Sequence, residues 1–254
     1  MLQEIEDKLR KLGYNPPEIN ILLESKNRIE FPKGYIRNVE NFRERYMLNK
    51  FPDQALARNI SYILQYTDPL NYLLSRTTLG TDALSAGAIA RKYAIITIGT
   101  LAEAYLSGVV EYIARECGNC GNSKECLAKK KCPAKKRRKG RGNYTDIREL
   151  FEKVNDKEEM LTFNDLLMII PQFVEIDGSL REELERLREI RNHIHVQYIE
   201  KDKVRVRDYD KNKSRYTLKE YNKAIAVLRQ LPALFERIIH TLEQYRVKKT
   251  GKEE

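Results

Sequence analysis

From Tyr93 to Val110 the chain carries one charged side chain, Glu103, and Ala, Gly and Ser recur along the stretch. No proline interrupts it, so a helix is predicted from about residue 83 to about 116, capped by Thr81 or Asp82. A helix apolar on nearly every side must be covered on nearly every side, and small residues let its neighbours approach closely. That places it at the centre of a helical bundle, an all-α fold. The most apolar part, 94 to 110, holds a charge near its middle and is expected to fall short of a membrane span. Glu103 is then a candidate buried carboxylate, tolerated there only when paired or hydrogen-bonded. Its plainest role is that of a structural ion-pair partner.

Helical patterning covers most of the remaining chain. Residues 1 to 12 alternate apolar and charged side chains at helical spacing until GYNPPE breaks the run. Short helices and loops are expected from 17 to 50. After Pro52 a helix runs through ALARNISYILQYTDPLNYLLSR, with an interruption expected near Asp68-Pro69. Thr162 is placed to cap TFNDLLMII, and Ser179 with Glu182 and Thr217 with Glu220 have the spacing of capping boxes. The last helix is expected to reach about residue 247 and to kink at Pro232. Before it, VQYIEKDKVRVRDYDKNKSRY reads as a short β-hairpin or a ragged loop. The predicted organisation is an N-terminal helical extension (1–50), a helical domain (51–247) interrupted by an insertion (117–143), and a tail (248–254).

Charge narrows the class of partner. The chain has 254 residues, 33% of them charged, and a formal net charge of +10. The nine basic residues between Lys129 and Arg141 (Lys129, Lys130, Lys131, Lys135, Lys136, Arg137, Arg138, Lys139 and Arg141) account for all but one unit of it. A concentrated cationic block attracts polyanions by releasing their counterions, which points to nucleic acid. A solvated lysine-rich loop without a specific partner is the plain alternative. The N-terminus, MLQEIEDKLRKLGYNPPE, has charges throughout and no apolar core of a secretory signal, so a cytoplasmic protein with no membrane partner is expected.

All four cysteines fall in CGNCGNSKECLAKKKC, as Cys117, Cys120, Cys126 and Cys132. The Cys117–Cys120 pair, with Gly118 and Gly121 around it, is expected to form a tight turn that aims two thiolates at one metal ion. Four thiolates satisfy tetrahedral zinc and close the site, making it structural. A loop without apolar residues folds on the free energy of metal binding instead of a core. Structural zinc is the expected occupant. An iron–sulfur cluster is the alternative, and disulfides would need an oxidising compartment.

REIRNHIHVQ, residues 188 to 197, holds two of the three histidines behind two arginines and an asparagine. Taking Arg188 as zero on a helix, Arg191 lies at about −60°, Asn192 at about +40° and His195 at about −20°. His193 falls at about 140°, on the other side, and Ile190 and Ile194 are left for the core. Two guanidinium groups, an amide and an imidazole on one face suit a phosphodiester of RNA. The imidazole can take the proton of a ribose 2′-hydroxyl, and the arginines can steady the charge of the pentacoordinate transition state. Arginines and histidines near a helix C-terminus also serve simply to satisfy free carbonyls and the dipole.

LREIRNHIHV, preceded by an amphipathic helix and by the long apolar helix with Glu103, resembles the HEPN superfamily, over roughly residues 50 to 247 without the cysteine insertion. The resemblance implies a helical bundle acting as a homodimer, and a metal-independent endoribonuclease of defence or toxin systems, with RNA as substrate and a cognate antitoxin or effector as partner. It implies catalytic roles for Arg191, Asn192 and His195, with Arg188 as the competing arginine. Only three residues separate Arg191 from His195, fewer than the family pattern of four to six, whereas Arg188 meets that spacing with either histidine. Glu103 and His193 would be supporting residues, Glu103 matching a polar residue that faces the motif. Some domains of this family bind without cleaving, so a non-catalytic, zinc-stapled nucleic-acid-binding or adaptor protein is the alternative.

Overall fold

The computed structural model describes residues 31–76, 86–119, 161–192, 197–200, 203–206 and 216–250, with residues 7, 8, 10–13 and 15 nearer the start. The chain divides into two units, Met1–Tyr35 and Ile36–Glu254. In the first, a tight turn closes where the Tyr35 N–H donates to the Pro32 carbonyl at 2.9 Å. Gly34 supplies the φ of +78° which that turn needs and which a side chain would strain. The rings of Phe31 and Tyr35 stack across it, 6.5 Å between centroids.

The larger unit contains six helices among the described residues: α1 (Val39–Arg45), α2 (Gln54–Arg76), α3 (Ala86–Asn119), α4 (Phe163–Ile169), α5 (Gly178–Asn192) and α6 (Leu218–Thr250). Strands β1 (Gln197–Glu200) and β2 (Lys203–Val206) pair antiparallel, Gln197 opposite Val206, so the segment before the last helix contains the short hairpin. The fold is helical, as the patterning indicated.

The axis of this unit is α3, against which α2, α4, α5 and α6 all pack. Leu101, Tyr105, Ile98, Ile95, Leu106, Val110 and Ala114 span more than half of its circumference, yet none is more than 3% exposed. Helix α3 extends beyond 94–110 at both ends. By length and composition Gly87–Glu116 is therefore apolar enough to cross a membrane, contrary to the expectation drawn from the shorter run, and 61% of an 18-residue stretch within it is buried inside the protein.

Phe51 lies over Gly108 so closely that a Cβ there would stand 2.3 Å from the ring. The same ring meets Tyr105 edge-on at 5.2 Å and Phe235 of α6 at 5.6 Å, geometries that aromatic quadrupoles favour. At the centre of the cluster the Tyr105 hydroxyl donates to the Tyr46 carbonyl at 2.9 Å, which satisfies both buried groups.

Several sequence expectations need correction. Phe42, Tyr46 and Leu48, within the unit that starts at Ile36, belong to the same core as α3 and α6. Helix α2 runs unbroken through Pro69. Its buried positions Ala57, Ile60, Ser61, Leu64 and Asp68 repeat at helical spacing, and their burial outweighs the hydrogen bond that proline removes. Helix α6 is a single element with Pro232 inside it, as expected for a helix that proline can bend without ending. The N-terminus of α5 is capped by Asp177, not Ser179: the Asp177 carboxylate accepts from the N–H groups of Ser179 (2.9 Å) and Leu180 (3.4 Å). Thr162 and Thr217 do cap their helices, accepting from the N–H of Asp165 and of Glu220. The Glu220 side chain turns instead to Arg186, 2.6 Å away on α5, tying α5 to α6. Finally, α3 continues through Cys117, Gly118 and Asn119, so the segment expected to open the metal loop as a turn is still helical. Once a helix is nucleated each added residue gains a hydrogen bond, which favours continuation.

Candidate functional site

Helix α5 buries Leu180, Leu184, Leu187 and Ile190, a stripe at helical spacing that faces the core. The stripe fixes the rotation of the helix and so decides where its polar residues project. Arg188, Arg191 and Asn192 fall together at one edge and line a cleft of about 410 Å³. The opposite wall is the segment Leu161–Asn164, held in place by the Thr162–Asp165 capping box, and α3 contributes Glu103. The four sequence candidates whose side chains are described (Glu103, Arg188, Arg191 and Asn192) are thus brought to one place.

Close packing of two helices creates the pairing at its centre. A Cβ at Gly99 would stand 3.2 Å from the Leu187 carbonyl oxygen and 3.6 Å from the Arg191 Cβ, so a glycine is what lets α5 lie this near to α3. Glu103 is one turn along the same face of α3. From there its carboxylate reaches the Arg191 guanidinium at 2.7 Å. It also accepts the backbone N–H of Phe163. Burial raises the Glu103 carboxyl above the ordinary glutamate range, and Arg191 and the Phe163 N–H oppose that rise without cancelling it.

Arg188 is held differently. One terminal nitrogen reaches Glu185 at 3.1 Å, one turn back on the same helix. Its Nε is buried and has no hydrogen-bond partner among the described residues. A buried guanidinium N–H without an acceptor costs free energy that a bound oxyanion would recover. Among the residues lining the cleft, two guanidinium groups face one carboxylate, leaving a net positive charge. Asn192 is exposed at the end of the helix. The cleft can therefore hold an anion of phosphate size against Arg188 and Asn192, with Arg191 already oriented by Glu103.

His193 and His195 lie outside the described residues, as do Ile194, Cys120, Cys126, Cys132 and the basic run from Lys129 to Arg141. Cys117 is described only as part of the α3 backbone. Among the described residues no group of three or more His, Cys, Asp or Glu is placed to hold a metal ion.

Three contributors escaped sequence reasoning: Gly99, the Phe163 N–H and Asn164. The glycine was visible only as one small residue among several along an apolar helix. The other two belong to the wall that the Thr162 cap builds, and the cap itself was legible. Comparison of the chain with protein-family models, curated proteins and solved structures found no match.

Proposed function

We propose that the chain is a metal-independent endoribonuclease of the HEPN type, acting in the cytoplasm as a homodimer. The observation that carries this reading is the convergence of Arg188, Arg191 and Asn192 on one open cleft, with the Arg188 Nε unpaired among the described residues. The arginines engage the scissile phosphate through charged hydrogen bonds. His195, three residues past the end of α5, takes the 2′-hydroxyl proton. Attack of that oxygen on phosphorus displaces the 5′-oxygen and leaves a 2′,3′-cyclic phosphate. Asn192 orients the imidazole or holds a phosphate oxygen. In this reading the basic run holds the RNA strand, and Cys117, Cys120, Cys126 and Cys132 bind structural zinc (or an iron–sulfur cluster) that shapes the loop carrying it. A cognate antitoxin or effector would restrain such an enzyme.

A second reading, RNA binding without cleavage, is favoured by the tie between Arg191 and Glu103, which takes up much of one guanidinium's charge. One experiment separates the two. Wild-type and His195→Ala protein are incubated with a structured RNA, with and without EDTA, and folding is checked by circular dichroism. The enzyme reading expects cleavage in EDTA, cyclic-phosphate ends and no products from His195→Ala. Equal cleavage by His195→Ala removes the assignment, and bound but intact RNA selects the second reading.

A further inference from the structure

A second recess, about 300 Å³ in volume, opens between α1, α2 and α6 on residues that the Arg191 cleft does not use. Three arginines line it, Arg37, Arg45 and Arg229, against a single carboxylate, Asp68. That carboxylate is already engaged. Arg37 donates to it from Nε at 3.0 Å, from Nη2 at 2.5 Å and from its own backbone N–H at 3.0 Å. The Arg37 guanidinium also lies over the Phe42 ring, 4.5 Å from its centroid, so it is fixed on two sides.

Arg45 and Arg229 are different. Neither makes an ion pair with another described residue, and both are exposed. They converge, with Arg37, on the Tyr46 side chain closely enough to bias its hydroxyl. Burial still raises the Tyr46 hydroxyl above the ordinary tyrosine value, so it remains a neutral phenol able to donate a hydrogen bond. The apolar side of the recess is formed by Ile225 and Leu228 of α6.

We propose that this recess is a binding site for a small organic phosphate. The phosphate group sits between the Arg45 and Arg229 guanidinium forks and accepts from the Tyr46 hydroxyl, and the organic body packs on Ile225 and Leu228. A phosphate is favoured over a carboxylate by the donor count. Two forks without an ion-pair partner among the described residues, together with a phenol, match three terminal oxygens carrying close to two charges, whereas a carboxylate would leave one fork without an acceptor. The recess stands at the lower end of small-molecule site volumes, which suits a mononucleotide-sized ligand. This site is independent of the RNA reading, because it shares no residue with the cleft at Arg188 and Arg191.

The test is calorimetric titration of the full chain with adenosine 5′-monophosphate, inorganic phosphate and adenosine. Three proteins are compared: wild type, the Arg45→Gln/Arg229→Gln pair, and the Arg188→Gln/Arg191→Gln pair. The nucleotide is expected to bind wild type and the Arg188/Arg191 pair alike. It should bind the Arg45/Arg229 pair on the order of 100-fold or more weaker, the scale of two lost charged hydrogen bonds. Adenosine should give no heat. Three outcomes overturn the proposal: no nucleotide binding to wild type, binding unaffected by Arg45→Gln/Arg229→Gln, or loss only in the Arg188/Arg191 pair. Inorganic phosphate binding as tightly as the nucleotide would overturn the organic part, by assigning the recess to free phosphate.

Discussion

The Arg191 guanidinium stands 2.7 Å from the Glu103 carboxylate, joining two helices whose backbones are held close by Gly99. Burial raises the Glu103 carboxyl in the folded protein. The folded state therefore holds that proton more tightly than the unfolded chain. Stability falls as pH rises from the ordinary glutamate value through the raised one. Urea denaturation of wild type across this range should show the decline, and Glu103→Gln should flatten it. Superimposable curves would show that Glu103 does not titrate abnormally.

Removing the acceptor altogether has a different consequence. Glu103→Ala leaves the Phe163 N–H and the Arg191 guanidinium without their partner, and is expected to cost about 1–3 kcal/mol of stability. Glu103→Gln keeps an acceptor for the Phe163 N–H and should cost less. Denaturation midpoints of the two variants at pH 7 give the comparison.

Two glycines of α3, Gly99 and Gly108, should differ in their response to alanine. At Gly108 the new methyl meets the buried Phe51 ring, which Tyr105 and Phe235 hold on other sides, so repacking is expected to cost about 1–3 kcal/mol. At Gly99 the nearest atom is a carbonyl oxygen at 3.2 Å. The gain of about 1 kcal/mol in helix propensity there should offset most of the crowding. Thermal melts that rank Gly99→Ala below Gly108→Ala would contradict this.

Tyr105→Phe removes a buried hydroxyl while keeping the ring. It strands the Tyr46 carbonyl, so a loss of about 1–3 kcal/mol is expected despite unchanged aromatic packing. Equilibrium unfolding followed by far-ultraviolet circular dichroism measures it.

If the cleft processes RNA, each arginine should contribute separately to the rate. Arg188→Ala and Arg191→Ala are each expected to slow cleavage by about 10²–10³-fold, the range found when one transition-state donor is lost. A gel time course with folded variants reads this directly. A rate unchanged in Arg188→Ala would place Arg191 alone at the phosphate.

The axial role of α3 was legible because one charge in a long apolar run leaves few other places for a helix. The shared face of Arg188, Arg191 and Asn192 was legible from angular spacing alone. The pairing of Arg191 with Glu103 was not, because it depends on how near two helices come, and that distance is set by Gly99. That α1 joins the core was not legible, because it is only seven residues long and buries Phe42 alone, too little for periodicity to register. At the head of α5, Asp177 and Ser179 are both good caps two residues apart, and composition could not choose between them. The interruption expected at Pro69 weighed one lost hydrogen bond without the burial on either side of it.

Helix α6 covers α3 more extensively than any other helix does, yet it is encoded far downstream of it. During translation, at about 5–20 residues per second, the greasiest segment of the polypeptide therefore emerges from the ribosome on the order of ten seconds before its main cover exists. Through that interval the nascent chain offers chaperones a long unsatisfied apolar ridge. Recovery of soluble material from an expression host is thus governed by synthesis speed and chaperone supply as well as by the equilibrium stability of the finished fold.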